Sequence, residues 1–262
     1  NLINRLQAKS EIRQANSQIR QSRTIMNAPT QTAVNWPFLQ YVQSQGAWAI
    51  SSEGFQAFAG NARSEISIGL EDYFQLRPAT VIQPNGVALI HVHGVLVDSA
   101  PAVYGKLGLV TEYKTISGDI ADVIARGAKS IVLIFASPGG TVAGIKECAA
   151  VIASSKIPVS SYCASLTCSA AYYLAAGTKR ITASPSAIVG NVGTILSWSD
   201  DTAFWEALGI TFKALVSEGA DLKSTFHLEP NETQLAFLQQ TIDAMGADFR
   251  DHVAKHRPNV SP

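Results

Sequence analysis

Cysteine is scarce in this chain and charge is thin. The three cysteines, Cys148, Cys163 and Cys168, cannot all pair, and their spacing matches no zinc pattern. They read as small buried hydrophobes in a reducing compartment. Charged residues are only 15% of the 262, and 20 basic side chains are balanced by 20 acidic ones. With no net charge and no polybasic patch, neither nucleic acid nor an anionic membrane is a favoured partner. No apolar run reaches the roughly 18 residues of a membrane span, and no signal peptide is visible, so the sequence reads as soluble. The five histidines do not cluster as a metal site. His91 and His93 alternate and so share one strand face, which reads as a polar face or a satisfied core pair. No metal and no cofactor are expected.

What is present is a large apolar fraction, 47%, enough for a sizeable core in one large domain or one domain with an appendage. The start at Asn1, without a methionine, leads us to expect a fragment of a longer chain. Residues 1–35 read as a polar arm or linker, with Arg5, Lys9, Arg13, Arg20 and Arg23 at helical intervals and Pro29 in a turn-rich stretch. Residues 36–80 read as a helical accessory region, two short helices joined around Gly46-Ala47-Trp48-Ala49-Ile50, with Trp48 and Ile50 as docking residues. The main domain is expected over 81–262. It holds strands at 87–97, 130–136, 159–163, 180–183 and 212–216. Helices are expected at 115–126, 142–154, 170–177, 204–209 and 233–257. The near-continuous apolar run at 130–136 reads as a strand buried on both faces. Strand–helix alternation with short connections argues an α/β fold with a parallel sheet flanked by helices.

The chemistry gathers at strand-to-helix junctions. Ser169, in Cys168-Ser-Ala-Ala-Tyr-Tyr173, follows a strand and opens a small-residue helix. A serine there commonly caps the helix, yet the same place suits a nucleophile, because free backbone N–H groups surround it. Cys168 is a nucleophile by residue type alone. Ser137-Pro138-Gly139-Gly140 sits at another such junction, where two glycines let backbone N–H groups approach a ligand or stabilise an oxyanion. Taken alone, it is equally a tight turn. Lys223 lies in a Gly-rich loop with Asp221 two residues before it. An exposed lysine is ordinarily solvated; burial would lower its pKa and let it act as a base. His227 is the nearest histidine and ranks below Lys223.

The order Ser-Pro-Gly-Gly, Cys-Ser-Ala-Ala-Tyr-Tyr, Gly-Asn-Val-Gly at 190–193, then a Gly-rich loop with Lys223 resembles the signal-peptide-peptidase-A family of Ser–Lys peptidases. That family includes phage capsid-assembly (prohead) proteases. The resemblance covers about 85–257. It implies Ser169 as nucleophile, Lys223 as general base, and Gly139, Gly140 and Ala170 as oxyanion and substrate-binding positions. It also implies Asn191 and Asp221 as residues around the dyad that do not touch the reacting atoms. The implied fold is the crotonase/Clp-protease-like superfold of repeated β-β-α units, assembled into rings or domes whose sites can combine neighbouring subunits. The implied substrate is a peptide or protein, a scaffold or capsid protein during phage or prophage head assembly, in the bacterial cytoplasm or the prohead interior. Alternatives are a peptidase for signal-peptide remnants and a catalytically silent peptide-binding assembly module. An acyl-CoA enzyme of crotonase type would need a carboxylate near the glycines, and only Glu147, within a helix, is close in sequence.

Three positions depart from the family pattern. Asn191 replaces a hydroxyl that would orient the lysine, Ala170-Ala171 replace two glycines, and a Gly-Leu-Val-Asp-like strand is missing before Pro262. That ending is expected of a trimmed or processed form. Alanine and serine around Ser169 suggest small apolar residues before the cut.

Overall fold

The computed structural model describes residues 47–51, 54, 78–101, 104–105, 109–198, 202–223 and 229–259. The arm at 1–35, His227 and nearly all of the expected helical region lie outside them.

Ten strands and five helices make up the described chain: β1 (Trp48–Ile50), β2 (Val81–Ile82), β3 (Val87–His93), β4 (Val95–Val97), β5 (Val110–Glu112), α1 (Tyr113–Ala125), β6 (Ser130–Ser137), β7 (Gly139–Thr141), α2 (Ile145–Ala153), β8 (Val159–Cys168), α3 (Ala170–Ala176), β9 (Ile181–Ala183), β10 (Ile188–Gly190), α4 (Thr202–Ala207) and α5 (Glu232–His256). They form two sheets. The larger runs β10-β8-β6-β3-β2 with β9 also on β8, and all its pairings are parallel except β2 with β3. The smaller runs β1-β7-β4-β5, with β1 antiparallel on its edge. The chain is therefore a mixed α/β structure whose central strands are parallel and flanked by helices.

Sequence chemistry explains the two-sheet division. The single strand expected over 87–97 breaks at Gly94, whose φ of 68° only glycine adopts cheaply, and β4 continues in the other sheet. Likewise β6 crosses Pro138 into β7 before α2 begins. Both core strands thus hand the chain from one sheet to the other on the way to a helix.

The core lies where the large sheet meets α1, α2, α3 and the C-terminal half of α5. Ile131, Leu133 and Phe135 of β6 are at most 1% exposed and face Ile116, Ile120 and Ile152. Full burial of each contributes about 1.5–3 kcal/mol. The opposite face of β6 is half-buried, so the strand alternates where burial on both faces was expected. α5 begins with a capping box between Asn231 and Gln234, and buries only Gly246, Phe249 and Val253. The expected strand at 212–216 is not formed; those residues are irregular, Phe212 half-buried against Trp205 and 213–216 exposed, with no neighbouring strand among the described residues.

Candidate active site

Ser169 is held at the end of the ten-residue strand β8, the longest in the molecule's described part. Parallel pairing aligns Gly190 of β10 with Cys168, and the next bond runs from Ser169 N–H to the Gly190 carbonyl at 2.7 Å. On the far side, Tyr173 N–H donates to the Ser169 carbonyl at 2.8 Å, which starts α3. The junction bends sharply. Ser169 has φ 52° and ψ −119°, and it is one of two non-glycine residues with positive φ among those described. Such a conformation costs on the order of 1–3 kcal/mol and persists only where surrounding structure enforces it. Strained strand-to-helix serines are the geometry of nucleophile elbows.

The helix-capping role is not what the hydroxyl does. Ser169 occupies the N-cap position of α3, yet its side chain makes no capping bond. Its Oγ donates instead to the carbonyl of Gly193, a long contact at 3.4 Å. Gly193 follows Asn191, the second positive-φ residue at 59°, whose side chain is exposed. The neighbouring Thr194 is fixed by donating to the Ile242 carbonyl of α5 at 2.9 Å. Cys168, 1% exposed, points its Sγ away toward the Ile188 carbonyl at 3.8 Å.

Gly139 and Gly140 lie alongside. Gly139 has φ 109°, and a Cβ there would meet the Ala49 carbonyl and lie 3.0 Å from both the Cys168 carbonyl and the Ile50 Cα. β7, the residue before Ser169 and β1 therefore converge on one point. A Cβ on Gly140 would collide with the Leu96 backbone on the other edge of β7. Both glycines are demanded by close approach, which is how backbone N–H groups come within reach of a ligand. Ser137, wholly buried, accepts from Gly139 N–H at 3.2 Å, and Tyr113 donates to the Thr141 carbonyl at 2.7 Å, pinning both ends of β7.

Behind the serine, Tyr173 stacks on His252 of α5 with ring centroids 3.8 Å apart, and His252 Nε2 lies 3.0 Å from the Tyr173 carbonyl. Burial, then the neighbouring His256, lowers the His252 pKa to about 4, so it is neutral at pH 7. Burial, then Asp248, pushes the Tyr173 phenol up to about 12. Neither group faces Ser169 through a hydrogen bond among those described.

Lys223 and Asp221 sit apart from this cluster in an exposed turn. Lys223 N–H donates to the Ala220 carbonyl at 2.9 Å, and the backbone carbonyls of Asp221 and Lys223 accept from Gln234 Nε2 at 3.2 and 2.8 Å. Those bonds dock the turn on the start of α5. The structure thus brings together Ser169, Ala170, Gly139 and Gly140, while Lys223, Asp221 and Asn191 remain on the exposed side. Sequence reasoning missed Gly193 as the hydroxyl's partner and β1 as a neighbour of the glycines. Among the described residues no cluster of His, Cys, Asp or Glu could hold a metal ion, and no helix is long and apolar enough to cross a membrane.

The chain is 28% identical over 182 residues to a protein of Enterococcus faecium provisionally named signal peptide peptidase SppA, covering 65% of this chain and 51% of that one. It is 28% identical over 185 residues to the head-tail preconnector protein GP5 of Enterobacteria phage P21, covering 69% and 36%. Against capsid assembly protease C of Escherichia phage lambda it is 26% identical over 175 residues, covering 66% and 40%. The matched parts span about half or less of these relatives' lengths. Residues 152–261, which contain Ser169, Ala170, Asn191, Asp221 and Lys223, match the model of peptidase family S49. Less than half of the chain, residues 152–261, is thus similar to peptidase family S49.

Proposed function

We propose that the chain is the catalytic part of a serine endopeptidase in which Ser169 is the nucleophile and Lys223 the general base. The observation that carries this reading is the Ser169 backbone. A non-glycine residue is held at φ 52° in an N-cap position where its hydroxyl does not cap, beside a strand of two adjacent glycines. Neutral Lys223 takes the proton as Ser169 Oγ attacks the scissile carbonyl. The N–H groups of Gly139 or Gly140 and of Ala170 hold the oxyanion; Lys223 passes the proton to the departing amine and is neutral again, then takes a proton from the water that hydrolyses the ester and returns it to Ser169 Oγ. In this scheme Asn191 and Asp221 help to orient Lys223 without touching the reacting atoms. The β-β-α succession of β6-β7-α2, preceded by β3-β4-β5-α1 with one further short strand, supports assignment to the crotonase/Clp-protease-like superfold.

Exposure of Lys223 supports assembly as part of the function. A lysine serves as base only when desolvated, and in the single chain this turn is open to solvent. Ten of the fourteen exposed large hydrophobic residues among those described lie between 188 and 222, including Ile188, Trp198, Phe204 and Leu215. A homo-oligomer, ring or dome, would cover that surface and bury the lysine. Similarity to two phage head proteins favours a scaffold or capsid protein as substrate, acted on in the host cytoplasm or prohead interior. Similarity to the Enterococcus faecium protein supports a second reading, hydrolysis of signal-peptide remnants.

The test is turnover of casein and of a quenched-fluorescence peptide mixture by the parent, Ser169→Ala and Lys223→Ala, each at matched oligomeric state. Losses of at least about 10⁴-fold for the serine variant and 10²–10⁴-fold for the lysine variant are expected. Parent-level turnover by Ser169→Ala would refute the assignment. An assembled parent that turns over nothing would make the silent peptide-binding module the better account.

A further inference from the structure

β1 does not pack as an isolated strand; it is threaded between the two sides of the candidate site. On one edge it runs antiparallel to β7 in the register Trp48↔Thr141, Ala49↔Gly140 and Ile50↔Gly139. Two flanking bonds fix the phase of that ladder: Ser51 N–H donates to the Pro138 carbonyl at 2.9 Å, and Val142 N–H to the Ala47 carbonyl at 3.0 Å. Antiparallel ladders alternate hydrogen-bonded and non-hydrogen-bonded pairs. Ala49 and Gly140 are therefore the bonded pair between them, with Gly140 N–H directed at the Ala49 carbonyl. On the other edge Trp48 exchanges two 2.8 Å bonds with Ile195, two residues beyond the Gly193 that receives the Ser169 hydroxyl.

An extended peptide recognised by β-augmentation uses this pattern: main-chain bonds to an exposed strand edge, with alternate side chains in pockets. Residues 47–51 are all buried. Ala47 and Ala49 line a cavity of about 640 Å³ bounded by Val142, Tyr173, Thr194 and Phe249. Trp48 and Ile50 point the other way, into Val95, Val97 and Val110. The cavity is larger than two alanines require, and its walls are mainly apolar. A Cβ placed on Gly139 would lie against the Ala49 carbonyl and 3.0 Å from the Cys168 carbonyl, so this peptide unit is adjacent to the nucleophile's own junction.

We propose that Ala47–Ser51 is an internal pseudosubstrate: it fills the peptide-binding edge of β7 beside Ser169 and holds the Ala49 carbonyl where a scissile carbonyl would sit. The groove's ligand class is an extended peptide with apolar side chains, and such a peptide binds in trans only when β1 leaves. This rests on the reading of Ser169 as nucleophile.

The experiment uses the full chain in a Ser169→Ala background, so that nothing is turned over. A fluorescein-labelled peptide copying residues 45–53 is titrated by anisotropy against that protein and against two further variants in it. Trp48→Ala removes the anchor, and Ala49→Pro removes the N–H directed at the Gly140 carbonyl. At least a tenfold gain in peptide affinity in both variants is expected. Hydrogen exchange on the unaltered chain provides a readout that needs no variant. Amides of 47–51 should exchange at least tenfold faster than those of β6, because the strand opens without global unfolding. Folded variants with no gain in affinity, or protection of 47–51 equal to that of β6, would overturn the proposal. Failure of the nucleophile reading looks different: a serine-directed fluorophosphonate would leave no adduct on Trp48→Ala protein that keeps Ser169, although β1 is loosened there, while the gain in peptide affinity persisted.

Discussion

Gly140→Ala and Gly118→Ala are the same chemical change with opposite expected signs. At Gly140 the added methyl would lie 2.7 Å from the Leu96 Cα and closer still to its carbonyl group. Those are backbone atoms of a wholly buried residue paired with Gly140 across β4 and β7, so no side chain can swing aside. Forced overpacking costs about 1–3 kcal/mol, and loss of the buried pairing adds about 1 kcal/mol, for a total of about 2–4 kcal/mol. Gly118, in the exposed part of α1, has nothing within 4 Å of a Cβ. Alanine there gains about 0.5–1 kcal/mol from helix propensity. Urea unfolding followed by circular dichroism reads both; in thermal melts the Gly140 variant should fall by on the order of 10 °C. A Gly140→Ala protein as stable as the parent would mean that β7 does not approach β4 as described, and the oxyanion assignment would go with it.

Other perturbations reach the same scaffold from different sides. Tyr113→Phe should destabilise by about 1–2 kcal/mol, because the buried Thr141 carbonyl loses its 2.7 Å donor; urea midpoints check it. His252, with its pKa lowered to about 4 by burial and by His256, takes up a proton more readily when unfolded. Its contribution is therefore complete above about pH 6.5 and is lost as pH falls toward 4, by about 1–2 kcal/mol after discounting for partial exposure. His252→Gln should remove that slope from a stability–pH curve. All three cysteines are free and buried, and burial pushes the Cys148 thiol up to about 11. Ellman's reagent should react negligibly with native protein and report three thiols after denaturation.

Much of the site's scaffold was legible because local signals and tertiary structure agree. The apolar run before Ser137-Pro-Gly-Gly, the small-residue helix after Ser169 and the long amphipathic α5 each became the expected element. Where packing decides, the sequence was a poor guide. Phe212–Val216 has strand composition, but β-propensity measures fit to a half-buried surface, and the single chain offers it none. Trp48-Ala-Ile50 is too short to show a period, and its extended form comes from an edge some 90 residues further along the chain. β7 is a strand despite two glycines because β4 and β1 flank it. Nor could composition reveal that Ser169 has positive φ or that Lys223 lies on the open side, since both are set by long-range contacts.

The central claim is that Ser169 is an activated nucleophile. A fluorophosphonate probe applied to the assembled parent protein, with the adduct located by peptide mass mapping, tests it most directly. A single adduct on Ser169, lost in Ser169→Ala and strongly slowed in Lys223→Ala, is the predicted result. An adduct on another serine, or labelling indifferent to Lys223, would contradict it.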